Sequence, residues 1–180
     1  MNLMDAILGG NASPVSKLAG RFGMSEGAAA DIVKQLLPAL TNGMKKNVET
    51  KDGLSGFLSA VNGGGHDRYL DDPEALDSDG AILDGNGILG HLLKNKDVSR
   101  KLARKTAENT GQDYGVIKKM LPLVAGVVMG AMKKQGSSSG LLSELGSGNS
   151  KGMGSLLGLL DADGDGSPID DLLGFAKKLF

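Results

Sequence analysis

Lys118-Lys119-Met120-Leu121-Pro122-Leu123-Val124-Ala125-Gly126-Val127-Val128-Met129-Gly130-Ala131-Met132-Lys133-Lys134 is the stretch whose reading decides the fold. Its apolar run, residues 121–132, is twelve residues long, and paired lysines close both ends. A membrane-spanning helix needs about 20 apolar residues. The run therefore predicts a buried helix in a soluble all-α fold rather than a span. Gly126 and Gly130 are four apart, so they share one helix face and let another backbone approach closely. In so short a segment this spacing predicts tight internal packing. Pro122 stands inside the run, where a proline removes a helix hydrogen bond and kinks or ends the helix.

Working outward, the run has a counterpart 84 residues earlier. Lys34-Gln35-Leu36-Leu37-Pro38 matches Lys118-Lys119-Met120-Leu121-Pro122, and Leu18-Ala19 matches Leu102-Ala103. Ser55-Gly56-Phe57-Leu58-Ser59 matches Ser139-Gly140-Leu141-Leu142-Ser143 at the same shift. Small indels bring Gly43-Met44-Lys45-Lys46 onto Gly130-Ala131-Met132-Lys133-Lys134. Islands in one order predict two tandem-duplicated helical halves, residues 1–86 and 87–180, packed with pseudo-symmetry around one shared core. Two copies are too few for a solenoid.

Local signals agree with helices throughout. Ser13-Pro14 reads as an N-cap with proline at the first helical position, and Val15, Leu18, Ala19 and Phe22 follow at helical spacing. Ser25 caps a helix carrying Ile32, Val33, Leu36 and Leu37. Asp97 is the expected cap of a helix through Leu102 and Ala103, and Thr110 with Asp113 resembles a capping box. No stretch alternates apolar and polar residues long enough for a strand.

Composition narrows the function. The 180 residues include 29 Gly, 8 Met and only 3% aromatics, with no Trp. The core is therefore filled by Leu, Val, Ile, Ala and Met, the methionines acting as gap-fillers. The absence of Cys excludes disulfides, thiolate zinc sites and a Cys nucleophile, and two His exclude a His-rich metal site. A net charge of -1 argues against a globally basic nucleic-acid binder. Arg100, Lys101, Arg104 and Lys105 do share a helix face, but without interleaved aromatics they read as a solvated face. His91, in Ile88-Leu89-Gly90-His91-Leu92-Leu93, reads as a core histidine, while His66 follows three glycines. No nucleophile elbow, P-loop or dinucleotide fingerprint occurs, so no catalytic residue is assigned and the chain is read as non-enzymatic. The N-terminus lacks a basic region and carries Asp5, which does not suit a signal peptide; the expected location is the bacterial cytoplasm.

The sharpest chemical signal is Asp161-Ala162-Asp163-Gly164-Asp165-Gly166-Ser167. Carboxylates at alternate positions followed by Gly are how a short loop wraps oxygen ligands around Ca²⁺. The EF-hand pattern needs a bidentate Glu at the twelfth position, where this chain has Leu172. The expected ligands are thus Asp161, Asp163, Asp165 and Ser167, with Asp170 or Asp171 closing a shorter loop. Ser167-Pro168-Ile169-Asp170 reads equally as a helix start. A weaker second candidate comprises Asp77, Asp79 and Asp84, where Ala81 and Ile82 replace useful ligands. The expected function is a helical interaction or structural module whose Ca²⁺ loop orders the last helix. The alternative is a metal-free scaffold that docks itself or another protein through an apolar helix face, such as residues 169–180.

Three stretches carry a family resemblance: Leu-Leu-Pro-Ala-Leu (36–40) with Met-Leu-Pro-Leu-Val (120–124), Gly-Ile-Leu-Gly-His (87–91), and the Asp-rich close at 159–174. Together they resemble the bacterial DUF937 family, distantly related to the YidB-like all-α proteins. The resemblance implies an all-α fold and a bacterial source, and implies no catalytic residue.

Overall fold

The computed structural model describes residues 3–9, 13–138, 140, 155, 156 and 158. The order is α1 (Leu3–Leu8), α2 (Pro14–Phe22), α3 (Glu26–Val48), α4 (Lys51–Gly63), α5 (Arg68–Asp71), a 3₁₀ turn (Pro73–Asp77), α6 (Asp79–Leu93), α7 (Lys96–Thr110) and α8 (Tyr114–Ser138). There is no strand among the described residues. The all-α class follows.

Helix α8 is the axle. Every residue from 120 to 132 is buried, as an apolar-all-round helix must be. Helices α1 to α7 all lie against it, α6 most extensively. By length and composition α8 could cross a membrane, but 78% of its most apolar window is buried inside the protein. Helix α3 is the second core element. Ile32, Val33, Leu36, Leu37, Leu40 and Met44 face inward, all fully buried, while Asp31, Lys34 and Lys46 stay exposed. Burying each such large side chain stabilises by about 1.5–3 kcal/mol. The buried residues form one cluster that draws on both sides of residue 86, and residue 86 itself lies within α6.

The caps show which local signals the fold used. Ser13 and Ser25 cap α2 and α3 as their positions predict, each accepting a backbone N–H from three residues on, at 3.2 Å. Two expected caps move. Asn95, not Asp97, caps α7, accepting the Asp97 N–H at 2.8 Å. Asp113 alone caps α8, accepting from Val116 at 3.2 Å, because Thr110 is still inside α7 and donates its hydroxyl to the Thr106 carbonyl at 2.7 Å. Both interior prolines are accommodated: α3 continues through Pro38 and α8 through Pro122. Surrounding packing holds these helices past a residue that local propensity alone would use as a stop.

Candidate functional site

The densest polar arrangement lies where residues 64–71 cross α8. It begins with Gly63-Gly64-Gly65, which is a shaped turn rather than a loose linker. Gly65 has a left-handed backbone at φ 57°, a conformation cheap only for glycine. A side chain on Gly64 would overlap the His66 imidazole. His66 is thereby seated at 6% exposure, its ring stacked on Tyr69 with centroids 6.2 Å apart.

The Gly126–Gly130 face of α8 receives this segment. A Cβ on Gly130 would strike the His66 carbonyl, and one on Gly126 would lie 3.1 Å from the Tyr69 ring. The glycine spacing thus serves internal packing, as expected, but its occupant is a turn and a one-turn helix rather than a long helix.

Charged groups tie the crossing down. The Lys133 ammonium lies 2.8 Å from Asp67, and Lys134 lies 2.5 Å from Asp71. The Tyr69 hydroxyl donates to Asp84 Oδ2 at 2.8 Å, and Arg68 reaches the same oxygen at 2.6 Å. Arg68 also donates to the Tyr69 oxygen at 2.8 Å. The Lys133 hydrogen bond holds the Asp67 carboxyl below the usual carboxylate range. Burial pushes the Tyr69 hydroxyl up, and the Asp84 carboxylate adds to this. Burial pushes the His66 imidazole down, Arg68 and Lys133 reinforce that, and Asp84 opposes it.

A second charged patch joins α2 to the 3₁₀ turn. Lys17 lies 2.6 Å from both Glu74 and Asp77, and these two partners raise its pKa, Asp77 most. Arg21 donates to the Leu76 carbonyl.

The residues of the weaker metal candidate take part in these contacts. Asp77 is turned to Lys17, Asp79 is the first residue of α6, and Asp84 is engaged by Arg68 and Tyr69. The acidic stretch from Asp67 to Asp84 forms α5, the 3₁₀ turn and the start of α6, which Ser78 caps by accepting from Ala81 at 3.2 Å. No group of three or more His, Asp or Glu suited to a metal occurs among the described residues. The primary candidate, Asp161, Asp163, Asp165, Ser167, Asp170 and Asp171, lies outside the described residues.

His91 does not hold the core place expected of it. His91 is exposed, because Ile88, Leu89 and Leu92 take the inward face of α6, and its carbonyl accepts from Asn47 at 2.8 Å. His66 is the buried one. The glycines ahead of His66 were its signal, since a side chain on Gly64 would overlap the ring. On the basic face of α7, Arg100 pairs with Asp97 at 3.0 Å and Arg104 lies over the Tyr114 ring at 5.9 Å.

Residues 3–135 match the family model of a bacterial protein of unknown function, DUF937. The chain belongs to the DUF937 family. The match covers the α1–α8 body of this DUF937 protein almost to the end of α8, and it includes two of the three stretches that carry the resemblance. It stops short of the third, at 159–174. No curated protein and no solved structure matches the chain.

Proposed function

We propose that this DUF937 protein is a non-catalytic helical interaction module of the bacterial cytoplasm, and that its Asp161–Asp171 loop takes Ca²⁺ to order the chain that follows. The alternate Asp161, Asp163 and Asp165 with Gly164 and Gly166 carry the metal half of this reading. Five carboxylates within eleven residues repel one another, and a divalent cation offsets that repulsion. The non-catalytic half is supported by the pairing of polar groups in the body: Asp67, Asp71, Asp77 and Asp84 each serve a cation across a helix crossing.

The test is a thermal melt in excess Ca²⁺ against excess EDTA, with Asp163→Ala and Asp165→Ala alongside. Ca²⁺ at a hundredfold over its Kd stabilises by about 2.7 kcal/mol, or about 5–10 °C in a chain of this size. Both variants should lose that rise. Identical midpoints in Ca²⁺ and EDTA refute the metal half.

One observation favours the metal-free alternative, a scaffold that self-associates. Leu83 is 72% exposed on the outer face of α6, and the side-chain space at Gly87 and Gly90 on that helix is open. A second copy of the chain would meet there an apolar residue beside low relief. Sedimentation in Ca²⁺ and in EDTA, with Leu83→Lys, separates the readings: a metal-independent dimer lost in Leu83→Lys supports the scaffold.

The duplication belongs to the same reading. Leu18-Ala19 and Leu102-Ala103 are both buried in the helix before a long, proline-containing helix. The aligned Gly43 and Gly130 each face a backbone carbonyl from the opposite half, Leu92 and His66 respectively. Such reciprocal crossing is what two copies sharing one core would produce.

A further inference from the structure

Residues 64–71 form a strap held over the glycine face of α8 by charge pairs at its rim and by a buried imidazole at its root. We propose that this strap is an acid-sensitive latch, in which protonation of His66 releases it from Gly126 and Gly130.

The geometry makes a second proton on this ring costly. His66 is 6% exposed, and its Nδ1 has no hydrogen-bond partner among the described residues. An imidazolium carries two N–H donors, so one donor would be left buried and unsatisfied, which is expensive for a charged group. The charged neighbours offset this only in part. Asp67 and Arg68 face the ring from its own segment, Asp84 from α6 and Lys133 from α8. Gly64, the cap that follows α4, presents its backbone to the ring. Asp67 is already paired with Lys133, and Asp84 with Arg68 and Tyr69. A protonated His66 would be a third cation among two anions that are already paired.

The sign follows from proton linkage. Burial holds the imidazole of the closed strap below its ordinary value of about 6.5. In the open strap it returns to that value. Above it neither form binds the proton, and pH has no effect. Below it the open form binds more protons, so opening is favoured by up to about tenfold per pH unit until the closed form also titrates. Asp67 stays ionised throughout this window, because Lys133 holds it below the carboxylate range. The titrating group in this window is therefore the buried root, not the Asp67 carboxylate at the rim.

Hydrogen exchange of the full chain at about pH 7.5 and about pH 5, corrected for intrinsic rates, tests this. The strap amides from Arg68 to Asp72 are bonded to carbonyls of residues 65–68. Their protection should fall at the lower pH, by up to about tenfold for each pH unit below about 6.5, while α3 keeps its own. In His66→Gln the strap should show no such fall. Equal strap protection at both pH values in the parent, or an equal fall in His66→Gln, overturns the proposal. Proton NMR of the unsubstituted chain gives a second reading that needs no variant. His66 should titrate below the ordinary imidazole value of about 6.5; titration at or above that value also overturns the latch.

Discussion

Two glycines of α6, two positions apart, should respond to alanine with opposite signs. Gly85 is buried against α8, and a Cβ there would overlap the Pro122 carbonyl and its backbone. That backbone belongs to a helix whose residues 120–132 are all buried, so it has no direction in which to yield. Overpacking of this kind costs about 3 kcal/mol. Alanine regains about 1 kcal/mol of helix propensity. The net expectation for Gly85→Ala is a loss of about 2 kcal/mol, or about 4–8 °C. Gly87 lies on the exposed face with no atom near its missing Cβ. Gly87→Ala keeps the propensity gain alone, a rise of about 2–4 °C. Thermal unfolding followed by far-ultraviolet circular dichroism reads both. A Gly85→Ala protein as stable as the parent, or two shifts of the same sign, would refute the α6–α8 packing described above.

Two further substitutions probe the helix ends. Lys94 closes α6 at φ 52°, the one non-glycine residue with positive φ among the described residues, so Lys94→Gly should stabilise by about 1 kcal/mol, and a drop in denaturation midpoint would refute the left-handed cap. At the α7–α8 junction, Asp113→Ala should cost about 1 kcal/mol as a lost N-cap, whereas Thr110→Ala should stay within about 0.5 kcal/mol; chemical denaturation showing the reverse order would restore Thr110 as the cap. The Ca²⁺ melt and the strap exchange experiment complete the set.

Much of the fold was legible in one dimension because it rests on local chemistry. The apolar run 121–132, closed by Lys118, Lys119, Lys133 and Lys134, identifies a buried helix whatever surrounds it. Ser13-Pro14 and Ser25 fix helix starts through side chains that reach only three residues ahead. The glycine pair at 126 and 130 announces a close approach, and the resemblance at 36–40 and 87–91 points to the family that residues 3–135 match. Where local signals compete, sequence is a weaker guide. Asp97 and Thr110 are good caps by type, yet Asn95 and Asp113 hold those positions, since the register is set by which face of α7 and α8 must be buried.

The candidate site belongs to the other category. Nothing in the spacing joins Asp84 to Arg68 and Tyr69, or Lys133 and Lys134 to Asp67 and Asp71; those pairs exist because α5 crosses α8 and lies beside α6. The same cause places the histidines. His91 sits among leucines in sequence but on the outer face of its helix, while His66 follows three glycines and is buried at the root of the strap. Sequence by itself determined the helices α2, α3, α7 and α8 and their apolar faces, because those properties follow from side-chain period and hydrophobicity. Tertiary structure alone decided which polar groups meet, because ion pairs and buried imidazoles depend on how distant helices cross, and a crossing leaves no local trace beyond the glycines that permit it.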